Sequence, residues 1–137
     1  LTPEEFQNLH VLVIEDEDFI RRLIVRLLRE IGIQMIYEAT DGREGLEVLE
    51  SRSGDVDLVL CDLEMPKMDG LQFIRGVRSD KTQKIAQLPI IVLTGHSEDA
   101  VVRGAVSMNI DGYVVKPVSK KVLVERIVHA MRNAAKK

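Results

Sequence analysis

The chain has 137 residues, 45% hydrophobic and 30% charged, with a net charge of −3 and one cysteine. That length suits a single domain over 1–137, able to bury about two thirds of its unfolded surface without metal or disulfide staples. The mild acidity gives no reason to expect nucleic-acid binding, Cys61 has no partner for an internal disulfide, and no leader-like or membrane-length apolar span is present, so a soluble cytoplasmic protein is expected.

Thr2-Pro3-Glu4-Glu5 supplies an N-cap, a proline at the first helical position and early acids, which predicts a short peripheral helical turn in the extension 1–9. The apolar run His10 to Ile14 then stops on Glu15-Asp16-Glu17-Asp18, the pattern of a buried strand ending in carboxylates. From Phe19 the apolar residues fall at 19, 20, 23, 24, 27, 28 and 31, one face of an amphipathic helix that Gly32 terminates. Ile33 to Glu38 reads as a second strand, Ala39 to Gly42 as a loop, and Arg43 to Ser51 as a helix before the Ser53-Gly54-Asp55 break.

The next run, Leu58 to Cys61, is wholly apolar and stops on Asp62. Such a run is a strand covered on both faces of a parallel sheet, and its carboxyl end is where open α/β sheets place ligands. Pro66 and Asp69-Gly70 follow, so a sharp turn is expected just beyond the acid. A helix then carries Phe73, Ile74 and Val77 inward, and Ser79 to Gln87 reads as a polar surface connection. Pro89 to Leu93 is a further buried strand, ending at Thr94-Gly95-His96. A helix capped at Ser97 runs to about Met108, Tyr113 to Val115 is a fifth strand ended by Lys116-Pro117, and Ser119 caps a last helix with Leu123, Val124, Ile127, Val128 and Met131 on one stripe. Its core spans about 10–134.

Strict alternation of five strands with helices implies right-handed crossovers and a doubly wound parallel sheet, α/β and flavodoxin-like, in strand order 2-1-3-4-5. That order sets Glu15-Asp16, Asp62, Thr94 and Lys116 at neighbouring strand ends. Each has an ordinary reading alone: Asp16 and Asp18 as helix caps, Thr94 as a turn residue, Lys116 as a solvated lysine. Their convergence favours a site. Three carboxylates against one ammonium call for a cation, and oxygen-only ligands point to Mg²⁺, with Mn²⁺ a possible substitute.

The chain from Val11 to the last helix, with its strand-end Asp62 followed by Met65-Pro66 and Asp69-Gly70, resembles the receiver domain of two-component response regulators, the CheY-like family. The resemblance implies a phosphorylation-controlled signalling switch, not an enzyme acting on other substrates. Asp62 is then the phosphoacceptor, Asp16 the main Mg²⁺ carboxylate with Glu15 beside it, and the Glu64 main-chain carbonyl a further ligand. Lys116 and Thr94 would contact the phosphoryl oxygens, and Gly95 would leave the approach open. Thr94 and Tyr113 match the switch pair, Glu64 and His96 the positions that modulate phosphoryl lifetime, and the Lys116–Pro117 bond would be cis. Glu15 departs from the aspartate often found first in the acidic pair.

The implied phosphodonor is a histidine kinase or a histidine phosphotransfer protein. Output to a partner protein, an output domain or a second copy is expected through the face formed by 97–108, 113–115 and 119–134, with no nucleic-acid or membrane contact. The wide stripe of the last helix reads equally as core cover and as partner surface. An aspartyl phosphatase resembling the haloacid dehalogenase family would need a second aspartate where Glu64 stands. A flavin or dinucleotide carrier would need a glycine-rich loop where Val13 to Asp18 offers carboxylates.

Overall fold

In a computed structural model of the chain, residues 1–52, 54–65, 68–95 and 100–135 are described. The elements follow in the order α1 (Pro3–Asn8), β1 (His10–Ile14), α2 (Asp18–Ile31), β2 (Met35–Ala39), α3 (Gly42–Ser51), β3 (Leu58–Asp62), α4 (Gly70–Arg78), α5 (Gln83–Ala86), β4 (Ile90–Thr94), α6 (Ala100–Val106), β5 (Gly112–Val115) and α7 (Lys120–Ala134). The strands pair in parallel in the order β2-β1-β3-β4-β5, the doubly wound arrangement the alternation implies.

Because strand side chains alternate, β1, β3 and β4 each feed two cores. Leu12, Ile14, Val59, Cys61, Ile90 and Val92 pack with Phe73, Ile74 and Val77 of α4, Leu49 of α3 and Ala105 of α6. Val11, Val13, Leu58, Leu60, Ile91 and Leu93 pack with Ile24 and Leu28 of α2 and with Leu123, Ile127 and Ala130 of α7. The three central strands are therefore sealed on both faces, and their only solvent-reachable positions lie at their ends. Among the described residues no helix is long and apolar enough to cross a membrane.

At the amino-terminal ends of the strands the polar groups satisfy one another. The His10 amide donates to Asp57 Oδ2 at 2.9 Å while the Asp57 amide donates to the His10 carbonyl at 2.8 Å. Ile90 and Asp111 repeat the arrangement at 2.9 and 2.8 Å. Arg78, at the end of α4, donates to the carbonyls of Ala86, Leu88, Met108 and Asn109 at 2.8–3.1 Å, and so ties the α5 connection to the carboxyl end of α6. A cavity of about 930 Å³, lined in part by Arg75, Arg78, Lys81 and Asn109, opens at this end. The Arg78 guanidinium on its wall is already engaged by backbone carbonyls.

Several local expectations are corrected. Phe19 does not join the inward face of α2 but is 81% exposed, while its neighbour Ile20 in the same turn packs on the second core. β2 begins at Met35, two residues later than the apolar run suggests: Gly32 adopts a left-handed C-cap (φ 112°), and the Ile33 amide donates back to the Leu28 carbonyl at 3.0 Å, so Ile33 is spent on ending the helix and plugging the core. The Ser79 to Gln87 connection is not wholly polar coil. Its one-turn helix α5 buries Ile85, too short a feature for periodicity to reveal. Asp69-Gly70 is a helix start rather than a free turn, with Asp69 and Gln72 forming a capping box. α1 does form behind its predicted N-cap Thr2, which makes a capping box with Glu5, but it is more than peripheral, since Phe6 packs on the second core. The proposed helix cap Ser97, together with His96, Glu98, Asp99, Pro66 and Lys67, lies outside the described residues.

Gly70 is required by close approach rather than by a special backbone angle. A Cβ there would sit 2.5 Å from the Asp62 carbonyl oxygen and 2.6 Å from Leu63 Cα, so α4 can rest its first turn on the end of β3 only with hydrogen at that position. At Gly95 a Cβ would meet nothing within 4 Å. Gly70→Ala is therefore expected to lower unfolding free energy by about 1–3 kcal/mol, and Gly95→Ala to change it by less than about 0.5 kcal/mol. Urea denaturation of the two variants tests the contrast, and equal costs would contradict it.

Candidate functional site

Parallel pairing puts all carboxyl strand ends on one side, and the register brings the polar residues together. Asp62 is the last residue of β3 and is paired with Leu93, one residue before Thr94. Glu15 follows β1 directly and its amide donates to the Ala39 carbonyl at 3.0 Å. Lys116 follows β5, and its amide donates to the Thr94 carbonyl at 2.7 Å. The Lys116–Pro117 bond is cis, as the resemblance implies. Glu15, Asp62 and Thr94 are buried, while Asp16 and Lys116 are partly so.

Lys116 is the hub. Its Nζ lies 2.8 Å from Glu15 Oε1 and 3.3 Å from Asp62 Oδ1. The Glu64 amide also donates to Asp62 Oδ1, at 3.3 Å, and the Glu17 amide to Glu15 Oε2, at 3.2 Å. The contact between Lys116 and Glu15 is ionic rather than a directed hydrogen bond, for Glu15 Oε1 is buried without a hydrogen-bond partner of acceptable geometry. One carboxylate oxygen from each of Glu15, Asp16 and Asp62 lies within 4.8 Å of the others.

Charge crowding shows in the acidities. Burial first, and the nearby Glu15 carboxylate second, push Asp62 up from its ordinary 3.8 to about 7, against the pull of Lys116 and the Glu64 amide. Asp16 is raised too, by burial and then by its hydrogen bond and repulsion with Glu15. Burial pulls the pKa of Lys116 down, but the carboxylates of Glu15 and Asp62 outweigh it and the pKa is raised overall, so the lysine stays charged. One ammonium against three clustered acids leaves the site short of about two positive charges. An oxygen-only donor set, an undersatisfied buried carboxylate oxygen and an acid held near neutrality together fit a hard divalent cation.

The other predicted residues are placed less centrally. Glu64 is exposed on the loop beyond Asp62. Tyr113 stands on the edge strand β5 at 36% exposure, and Val115, two residues on, is also exposed. His96 lies outside the described residues. The position of Gly95 leaves open space where its side chain would begin. Cys61, directly before Asp62, is fully buried, and burial pushes its thiol up, so it is a packing residue.

Sequence reasoning missed Arg21. As the fourth residue of α2 it looks like one of several solvated arginines, yet its side chain is 12% exposed and reaches three elements. The signal available was its place beside the apolar stripe rather than opposite it.

A family model described as the response regulator receiver domain matches residues 11–128. The chain is 35% identical over 117 residues to the chemotaxis protein CheY of Pseudomonas aeruginosa, covering 85% of this chain and 91% of that one. It is 31% identical over 121 residues to the chemotaxis protein CheY-3 of Vibrio cholerae, covering 88% and 90%. Among solved structures it is similar to a response regulator receiver domain protein from Clostridium thermocellum, with a TM-score of 0.81 at 28% identity over 91% and 95% of the two chains.

The acidity of Asp62 carries a stability consequence. The native carboxyl gives up its proton near 7 and the unfolded one near 3.8, so between those values the native state holds more protons and stability must fall as pH rises. In metal-free buffer Asp62→Asn is expected to stabilise the chain by about 1–2 kcal/mol at pH 8, the gain shrinking as pH falls toward 4 and on addition of Mg²⁺. Urea denaturation across pH checks this, and a gain of constant size would contradict the electrostatic origin.

Proposed function

The chain belongs to the response regulator receiver family, and from that premise we propose that it is a cytoplasmic signalling switch that takes a phosphoryl group from a phosphohistidine donor onto Asp62 in a Mg²⁺-dependent reaction. The observation that carries this reading is the buried strand-end carboxylate with Lys116 Nζ 3.3 Å away and two further acids within 4.8 Å. The donor is a histidine kinase or a histidine phosphotransfer protein. No activity on other substrates is proposed.

Phosphoryl transfer demands in-line positioning and neutralisation of charge more than covalent help. Asp62 is held by β3 with its Oδ1 fixed by Lys116 and the Glu64 amide, so its orientation is set before a donor arrives. Asp16, Asp62 and the Glu64 carbonyl would hold Mg²⁺, with Glu15 at its side. Bound there, the cation would neutralise phosphoryl oxygens and keep Asp62 ionised as a nucleophile. Lys116 supplies a second positive charge, and Thr94 offers a hydroxyl from the adjoining strand end. Glu64 and His96 match the family positions associated with how long the phosphoryl group survives.

Output is proposed through α6, β5 and α7. Lys116 is bonded through its backbone to Thr94, and Tyr113 and Val115 face outward on the same edge strand. Drawing the Thr94 hydroxyl toward a phosphoryl oxygen would open room for Tyr113 to turn inward, shifting a pre-existing equilibrium toward a face that a partner, an output domain or a second copy binds more tightly.

Incubation with acetyl phosphate and Mg²⁺ is expected to add one phosphoryl group to the chain, seen by intact mass, and to add none to Asp62→Asn. Lys116→Ala should accept the group poorly. An unmodified wild type beside a phosphorylated control receiver, or an equally modified Asp62→Asn, would refute the assignment.

Beryllofluoride with Mg²⁺ should shift amide resonances from Thr94 to Tyr113 and along α6 and α7. Shifts confined to the loops after β1 and β3 would refute the output route.

A further inference from the structure

We infer that Arg21 is a positioning residue for the acidic loop, orienting the peptide between Glu15 and Asp16 and thereby setting how tightly the acid cluster takes a divalent cation. The inference rests on the metal-binding reading proposed above and adds to it a residue outside the ligand set.

Residues 15–17 bridge β1 to α2, and both proposed loop ligands lie on this short span. The Glu15 amide is fixed by the last carbonyl of β2. The Glu15 carbonyl, on the other side of the residue, accepts from Arg21 Nη1 at 2.9 Å. The same guanidinium donates from Nη2 to Asp18 Oδ1 at 2.6 Å and from Nε to Glu38 Oε1 at 3.1 Å. Three acceptors on three elements, the loop, α2 and β2, are thus joined by one planar group.

The brace is shielded where it matters. The Arg21 side chain is 12% exposed, whereas its two carboxylate partners are 68% and 48% exposed. Exposed ion pairs with such acids contribute little by themselves. Their geometric effect is larger: they hold the guanidinium plane so that Nη1 meets the Glu15 carbonyl. Because that carbonyl belongs to the peptide leading into Asp16, its direction fixes where the Asp16 side chain departs. Without the bond the peptide plane could turn and Asp16 would leave the 4.8 Å cluster for part of the time. Lysine keeps the charge but presents no rigid fork, so it cannot meet three acceptors in one plane.

Electrostatics alone predicts the opposite sign. A cation near three acids opposes Mg²⁺ binding, so deleting it should tighten the site, whereas deleting a brace should loosen it. Mg²⁺ titration by calorimetry on wild type, Arg21→Lys and Arg21→Met separates the two. Both variants are expected to raise the Mg²⁺ dissociation constant about tenfold, with the same ratio at about 0.5 M NaCl, where exposed charges are screened. Amide exchange at residues 15–17 should quicken in both. Glu38→Gln, which leaves the loop untouched and guards against misfolding of the Arg21 variants, should give a smaller rise of about twofold.

An Arg21→Lys chain that binds like wild type, or an Arg21→Met chain that binds more tightly, would overturn the brace while leaving the metal reading intact. A wild type that takes up no Mg²⁺ would overturn the metal reading and this inference with it.

Discussion

Three carboxylates brought to one end of a parallel sheet, with a single lysine among them, form the constraint on which the rest of the structure depends. Glu15, Asp16 and Asp62 repel one another, and Lys116 sits 2.8 Å from one and 3.3 Å from another without cancelling the excess. Asp62 ends β3 and Glu15 follows β1 directly, strands whose flanks are sealed in two cores, and Asp16 is the next residue along the loop. A rigid scaffold is what makes the unfavourable electrostatics persist. In a looser chain the acids would part and the raised pKa of Asp62 would relax toward its ordinary value.

The two ends of the sheet show how the chain separates structural from functional polarity. At the amino-terminal ends Asp57 and Asp111 each exchange two hydrogen bonds with the first residue of a neighbouring strand, and Arg78 engages four carbonyls. There charged groups are matched to fixed backbone partners. At the carboxyl ends the matching is incomplete: Glu15 Oε1 is buried without a directed hydrogen bond, and the acids outnumber the cation. Incomplete satisfaction at one end of an otherwise satisfied sheet distinguishes a binding site from a merely polar rim. It also explains why the cavity of about 930 Å³ beside Arg78 is not the site, since that cavity lies at the satisfied end.

How much could be read from residues alone follows from the range of the forces involved. Apolar runs and their terminating acids reveal the strands and their order, since burial on both faces leaves an uninterrupted signal in Val11–Ile14, Leu58–Cys61 and Ile90–Leu93. The site followed because topology puts strand ends side by side. Features set by the folded surroundings were illegible: Ile85 burying a one-turn helix, Ile33 diverted into ending α2, and Phe19 left exposed while Ile20 beside it packs on the second core. Ala130, which is fully buried, was passed over in the last helix for Val128 and Met131, because size ranks residues in a pattern while position decides burial. Arg21 and Arg78 escaped for a related reason, since each owes its role to carbonyls whose directions only the folded backbone defines.

The same contrast between sealed centre and open margin bears on the proposed route of the signal. β3 cannot shift without disturbing both cores, so an event at Asp62 has to be passed sideways. β4 carries it one residue past its pairing with Asp62 to Thr94, and the Thr94 carbonyl holds the amide of Lys116 at 2.7 Å. That bond joins the site to the end of β5, the one strand of the pair with solvent at its flank. In β5 only Val114 is buried, while Tyr113 and Val115 face out. α6 and α7 cover opposite faces beside it, α6 joining the core of α4 and α7 that of α2. At the lower end α6 is pinned by Arg78 through the carbonyls of Met108 and Asn109. A displacement that begins at Thr94 would therefore swing the amino-terminal end of α6 about an anchored carboxyl end, and the edge strand between α6 and α7, paired on one side only, is free to follow it.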